Sequence, residues 1–401
     1  MMQFFHHRRN KQIALLLILT FLFTFIGPSI YQQRALAEEK ETKAFISGII
    51  LMGLAYLFDR LVNRDGQPAE NNNSRIGDIW REGNVEQLGK KEVLGFFVNW
   101  TYPLTLSFPA LRANSNSINY VAPFWYTLNS LGHLKNKYEG QLPEVVRWAK
   151  KNDQKIIPLI NNEDGNYTFL TDSTTRKRAI KNIVNLIISQ GYDGVNLDFE
   201  FIPPWTRDSY TTFVRELAKE LHPLGKTLTI SVFPKIDVPV EFQAAYDYSA
   251  LAPYIDRMVI MTYDHHWSSG PPGPIAPIGW VKENIDYALN YVPASKILLG
   301  VANYAYDWPT LNVNSARNMS AKEAIIQAQE KGAEIKWDEE SQSPYYYYWE
   351  GTHKRIVWFE NSFSLRYKLQ LVNKYDLAGI AIWRLGNAED RFWDVIREEL
   401  K

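Results

Sequence analysis

The chain has no cysteine among its 401 residues. Disulfide staples and thiolate metal sites are therefore excluded, and the fold must rest on its apolar core. Neither sign of charge is in excess, since 44 Lys and Arg stand against 44 Asp and Glu. That balance argues against a nucleic-acid or polyanion partner. There is no internal repeat and no long low-complexity tract. No glycine-rich phosphate turn follows the first β-rich run, which counts against an open dinucleotide-binding sheet. Aromatic side chains, by contrast, are abundant, with 13 Trp and 23 Tyr. A hydrophobic content of 46% suits one large domain or two ordinary ones.

The first residues read as an export signal. "HHRRNK" is a basic segment, residues 13–26 form an apolar run, and Ala35-Leu36-Ala37 places small residues where a signal peptidase cuts. Residues 1–37 are expected to be removed. The alternative is an uncleaved anchor, for which the apolar run is short. A second apolar stretch at 44–58 falls below the roughly 20 residues needed to cross a bilayer. Membrane or cell-wall association through residues 38–65 is an expectation from it. A polar, Asn-rich linker follows, and the folded domain is expected over residues 91–401.

From residue 91, short β-rich runs alternate with helical patterns. The runs span 93–100, 118–126, 155–161, 194–201, 227–234, 257–264, 297–308 and 379–386. Between them, "TTRKRAIKNIVNLIISQG" has apolar spacing at Ile180, Ile183, Val184 and Ile187 and stops at Gly191. Eight strands in alternation with helices predict an α/β fold, a parallel sheet closed into a (β/α)8 TIM barrel. The stretch between runs seven and eight is too long for one helix. A helix followed by three short strands is expected there, as a small α+β insertion at about 309–360.

The fourth run, "YDGVNLDFEF", sets Asn196, Asp198 and Glu200 between Val195, Leu197 and Phe199. Alternation gives one oily and one polar face. In a barrel the polar face points inward, with Glu200 nearest the C-terminal mouth, where active sites of this fold lie. Other run ends carry Asn99 and Trp100, Tyr263 and Asp264, Tyr306, and Trp383. Aromatic faces beside carboxylates suit sugar rings, and a carboxylic acid there suits protonation of a glycosidic oxygen. Each residue also has a plain structural reading. Glu200 could be a rim ion-pair partner, and Tyr263 and Trp383 could be barrel core. Trp100 and Tyr126 divide evenly between core and sugar platform. Asp264, His265 and His266 are adjacent in sequence, a poor arrangement for one metal ion, so no metal or cofactor is expected.

"DGVNLDFE" resembles the strand-four signature of glycoside hydrolase family 18. "MTYDHHW", "PPGPIAPIGWV", "ILLGVANYAYDW" and "GIAIWRLG" resemble later blocks of its spore-germination branch, the YaaH-like cortical-fragment-lytic enzymes. The resemblance covers roughly residues 91 to 401. It implies a retaining, substrate-assisted glycosidase acting beside N-acetylglucosamine in peptidoglycan fragments. Glu200 takes the acid/base place. Asp198 takes the place that orients the substrate's 2-acetamido group, and Tyr263 the place that hydrogen-bonds its carbonyl. Trp383 matches the floor of the subsite for the reacting sugar, and Asp264 and Tyr306 match cleft contacts. Asn196 departs from the general pattern, which has Asp, but agrees with the spore-germination branch; it removes a like charge beside Asp198. The alternatives are a chitinase acting on chito-oligosaccharides and a non-catalytic glycan-binding barrel, against which the presence of Glu200 counts. No stretch resembles a LysM repeat, and an exported, monomeric enzyme is expected.

Overall fold

The structure is a computed structural model that describes residues 91–99, 106–137, 140–310 and 315–400. The export signal, the apolar stretch 44–58, the linker and Trp100 all lie outside the described residues.

Among the described residues, seven principal barrel strands, all parallel, come first: β1 (Glu92–Phe97), β2 (Tyr120–Leu128), β3 (Leu159–Asn162), β4 (Gly194–Asp198), β5 (Thr227–Val232), β6 (Arg257–Ile260) and β7 (Ile297–Ala302), with short pieces at Leu134–Asn136 and Lys155–Ile156 pairing with β2. After an insertion the chain adds its eighth barrel strand, Gly379–Trp383. That strand pairs in parallel with β7 on one side and β1 on the other, and β1 also pairs with β2, so the sheet closes on itself. The interior is packed rather than hollow: Leu94, Phe96, Tyr120, Phe124, Leu159, Val259, Leu298 and Ala381 form a buried cluster inside the ring. Alternate residues such as Val93, Val195 and Leu197 face the helical layer outside.

Local sequence accounts for these elements. The helix Ser173–Gln190 begins at Asp172, whose carboxylate accepts from the Thr174 and Thr175 amides, a cap worth about 1 kcal/mol. It ends at Gly191 in the left-handed conformation, φ 62°. The Asp193-Gly194 pair that opens β4 has a mechanical role. The Asp193 carboxylate accepts from the Ile156 amide at 2.8 Å, tying the β4 entry to the neighbouring chain. A Cβ on Gly194 would lie 2.0 Å from the Thr227 carbonyl oxygen, so only glycine lets β4 and β5 pair here.

The insertion contains the expected helix and, after it, the three expected strands, but two further strands precede the helix. It is a five-stranded antiparallel sheet: β8 (Tyr304–Pro309), β9 (Arg317–Ser320), β10 (Lys336–Asp338), β11 (Ser343–Glu350) and β12 (His353–Phe359), with a helix at Ala321–Glu330. It starts at Tyr304 rather than near residue 309. The run 297–308, read as one strand, is two: β7 stops at Ala302 and β8 pairs with β9 and β12 instead of the barrel. Asp307, buried in this sheet, accepts from Arg355 Nε at 2.7 Å and from the Tyr348 hydroxyl at 2.7 Å, locking three of its strands in register. With the insertion closed, the last barrel strand takes the label β13 (Gly379–Trp383).

Candidate active site

Every barrel strand bearing a candidate residue ends earlier than its β-rich run. β4 stops at Asp198, β6 at Ile260 and β13 at Trp383. The side chains just beyond these ends turn over the mouth of the barrel. They enclose a cavity of about 170 Å³ lined by Phe96, Leu159, Asp198, Glu200, Ser231, Phe233, Met261, Tyr263, Asp264 and Trp383. A second hollow of about 300 Å³ adjoins it, walled by Phe201, Phe242 and Trp267, with Glu200, Phe233, Tyr263 and Asp264 bordering both. Glu200 thus stands where one hollow passes into the next.

The polar groups of β4 lie at successive depths. Asn196 is fully buried; its Nδ2 donates to Thr229 Oγ1 at 2.9 Å and its Oδ1 accepts from Ser231 Oγ at 3.0 Å. Both partners are on β5, so the amide is satisfied below the cavity. Asp198 sits above it, 7% exposed, with Oδ1 buried and lacking a hydrogen-bond partner. An unmet carboxylate oxygen at a cavity wall is costly in a structural role and useful in a binding one. Glu200 is held through its backbone: its amide donates to Asn162 Oδ1 at 2.8 Å, and its carbonyl accepts from Asn162 Nδ2 at 2.9 Å. The Tyr246 hydroxyl donates to the Phe199 carbonyl at 2.6 Å. Immediately after, Phe201 adopts φ 54°, which carries the chain away from the sheet.

Burial pushes the Asp198 carboxyl up to about 7, although the Glu200 carboxyl and the positive charge of Lys137 draw it down. Glu200 is raised further, well above the carboxylate range, by burial first and then by the Asp198 and Asp264 charges. The pair therefore gives up its first proton from Asp198, and Glu200 keeps its own. Burial and the same two carboxylates also push the Tyr263 phenol well above its ordinary value, so it stays a proton donor.

Trp383 lies edge-on to Phe96, ring centroids 5.4 Å apart. Its following residue is clamped by Asn303: the Asn303 Nδ2 donates to the Arg384 carbonyl at 2.9 Å and its Oδ1 accepts from the Arg384 amide at 2.9 Å. Asp264, at φ 58°, accepts from the hydroxyls of Tyr304 and Tyr306, the latter at 3.0 Å.

Of the candidate residues, Glu200, Asp198, Tyr263, Asp264 and Trp383 converge on one cavity. Two substrate contacts need correcting. Asn196 lies beneath Asp198 with both ends of its amide used, because it sits one step deeper on the same inward face of β4, where Thr229 and Ser231 of β5 take up both of its polar atoms. Tyr306 is 7% exposed and stands behind Asp264 as a hydrogen-bond donor, since it belongs to the insertion sheet and not to a barrel strand. Tyr126 proves to be core, its hydroxyl 2.9 Å from that of Tyr192. His265 Nε2 pairs with Asp237 at 2.8 Å, and His266 Nδ1 with the Pro274 carbonyl at 2.9 Å. Asn162, Asn303, Tyr246 and Tyr304 were not legible as site residues. Each acts on a backbone or carboxylate remote in sequence, and only the Asn positions at strand ends offered a signal.

A (β/α)8 barrel with paired carboxyls and aromatic walls at its mouth defines a glycosidase, and the chain belongs to the glycosyl hydrolases family 18, whose model matches residues 92–388. Among curated proteins it is similar to the cortical fragment-lytic enzyme of Bacillus subtilis (strain 168), 33% identical over 300 residues, 72% of this chain and 70% of that protein. It is also similar to the putative sporulation-specific glycosylase YdhD of the same organism, 32% identical over 75% of this chain and 76% of that one. Among solved structures, the Bacillus cereus spore cortex-lytic enzyme SleL superposes with a TM-score of 0.72 at 29% identity, covering 78% of this chain and 74% of that one.

Proposed function

We propose that the chain is an exported glycoside hydrolase that cleaves β-1,4 bonds next to N-acetylglucosamine in spore-cortex peptidoglycan fragments. The observation that carries this reading is the Asp198 and Glu200 carboxyl pair at the junction of two hollows, with Trp383 lining one and Phe201, Phe242 and Trp267 walling the other. The similarity to cortical fragment-lytic enzymes supports the substrate.

In this reading the reacting sugar lies over Trp383 in the first cavity, and the leaving part of the strand occupies the hollow walled by Phe201, Phe242 and Trp267. Glu200 gives its proton to the glycosidic oxygen as the bond to the anomeric carbon breaks. The acetamido carbonyl oxygen of the same sugar attacks that carbon from the opposite side, forming a cyclic oxazolinium. Asp198 receives the acetamido N–H and balances the positive charge, and the Tyr263 hydroxyl donates to the acetamido oxygen. Water then opens the ring, losing a proton to Glu200, and configuration is retained.

Export is read from the basic segment, the apolar run and Ala35-Leu36-Ala37. Amino-terminal sequencing of the secreted fraction tests it, with Glu38 as the expected first residue.

Mass spectrometry of products from spore cortex, vegetative peptidoglycan and chitin oligomers tests the activity. Cortex fragments ending in N-acetylglucosamine are expected to dominate. Glu200→Gln keeps the shape of the site but has no proton to give, so turnover should fall by at least about 10²–10⁴-fold. A covalent sugar trapped on any carboxylate, or a fully active Glu200→Gln, would rule the mechanism out.

A further inference from the structure

The strand "SPYYYYWE" of β11 alternates between two different environments. Tyr346 and Tyr348 are buried against the helix Ala321–Glu330 and form the insertion's own core, with the Tyr346 hydroxyl donating to the Ala324 carbonyl at 2.9 Å. Tyr345, Tyr347 and Trp349 occupy the other face. Tyr347 is 39% and Trp349 63% exposed, so the stability of the sheet does not account for them.

This second face is continuous with the cleft. Across the sheet, Tyr345 is paired with Trp358 and Trp358 with Tyr306. The Tyr345 and Trp358 rings stack at 4.5 Å with 22° between planes. Both pack against a cluster that contains Tyr304 and Tyr306 and also touches Tyr263 and Trp383. A row of rings therefore leads from the catalytic mouth outward through Trp358 and Tyr345 to Tyr347, 5.9 Å further on, and to Trp349. Beside it Lys354, the cross-strand partner of Trp349, holds its ammonium 4.2 Å from the centre of the Tyr347 ring.

We propose that the outward row of Tyr345, Tyr347 and Trp349, with Lys354, is a glycan platform. Its occupant is the part of a long, acidic, N-acetylglucosamine-containing strand that lies beyond the cleft. The proposal rests on reading the cleft as a glycan-cleaving site. The C–H face of a hexose stacks on an aromatic ring while its hydroxyls stay in water, which exposed Tyr and Trp permit and aliphatic residues do not. The ammonium beside the rings adds selectivity. Peptidoglycan carries carboxylates on its muramic acid or stem peptides, whereas chitin of the same length is neutral, so Lys354 favours the acidic strand.

The test uses the full chain carrying Glu200→Gln, so that strands are bound and not cut, and measures affinity by titration calorimetry. The ligands are long cortex strands, a cortex tetrasaccharide and chitin oligomers matched in length to the strands. Adding Tyr347→Ala and Trp349→Ala should raise Kd for long strands about tenfold and for the tetrasaccharide much less. Lys354→Glu should weaken long cortex strands but not chitin. Because these side chains are exposed, thermal melts should coincide with that of the parent. Unchanged affinity for long strands in both variants would overturn the platform, and equal loss on chitin and cortex with Lys354→Glu would overturn the role of charge. If the Glu200→Gln parent binds no cortex glycan at all, the proposed function itself fails, an outcome distinct from binding that the platform changes leave intact.

Discussion

The Asn162 amide grips the backbone of Glu200 from both sides, accepting from its N–H at 2.8 Å and donating to its C=O at 2.9 Å. Asn162 ends β3, and Glu200 lies just past the end of β4. The arrangement is repeated across the barrel, where Asn303 past β7 grips Arg384 past β13 in the same two-bond manner. Two carboxamides thus hold the two points where the chain leaves the sheet to build the site, one under the carboxyl pair and one beside Trp383.

Asn162→Ala removes both bonds to Glu200 and frees the turn that aims its carboxyl. Small misplacement of a catalytic group costs up to about 10²-fold. We expect kcat to fall by roughly ten- to a hundredfold with substrate affinity largely kept. Steady-state kinetics on a soluble cortex fragment checks this, and an unchanged kcat would mean that the turn is held by other contacts.

Asn303→Ala should act on the other side of the site. With the Arg384 backbone released, the Trp383 platform loses its fixed orientation, so KM should rise several-fold more than kcat falls. Asn303→Asp keeps the acceptor for the Arg384 amide but sets a buried carboxylate oxygen against its carbonyl, and should be at least as damaging as Asn303→Ala. A fall in apparent kcat with KM unchanged would point to loss of folded enzyme instead.

Asp198→Asn tests the cost of the buried carboxylate. Its pKa is raised in the folded chain from 3.8 to about 7. A group whose folded pKa is raised contributes stability that is fully present below its unfolded value and is lost as pH rises through the folded one. The wild type should therefore lose stability between about pH 4 and pH 7 through this residue. The amide variant lacks that loss. Thermal melts should show Asp198→Asn gaining more over the wild type at pH 8 than at pH 5, while turnover collapses.

Asn196→Asp places a second carboxylate beneath Asp198, where Thr229 and Ser231 now satisfy an amide. Like charge raises the neighbouring pKa, so ionisation of Asp198 should require a higher pH. The acidic limb of the kcat/KM profile should move upward, with activity at its optimum kept within a modest factor. An unmoved limb would show that position 196 is electrostatically silent toward the site.

The sequence alone determined the barrel and much of its site, because both rest on periodicities that a chain cannot hide. Period-two alternation in "GVNLDFE" sends Val195 and Leu197 to the helices and Asp198 inward, whatever surrounds them. Eight such runs in alternation with helices leave few ways to close. Order along the run also put Glu200 at the mouth. Tertiary structure alone decided what holds and tunes those groups. Asn162 reaches 38 residues along the chain to Glu200, and Asn303 reaches 81 residues to Arg384. No local pattern marks such contacts, since they depend on which strand ends become neighbours when the ring closes. The same holds for the split of 297–308 into β7 and β8: the run is uniformly β-forming, and only the partners available on each side of Asn303 decide that its second half leaves the barrel. The raised pKa values of Asp198 and Glu200 likewise come from burial, a property of the assembled mouth that composition does not carry.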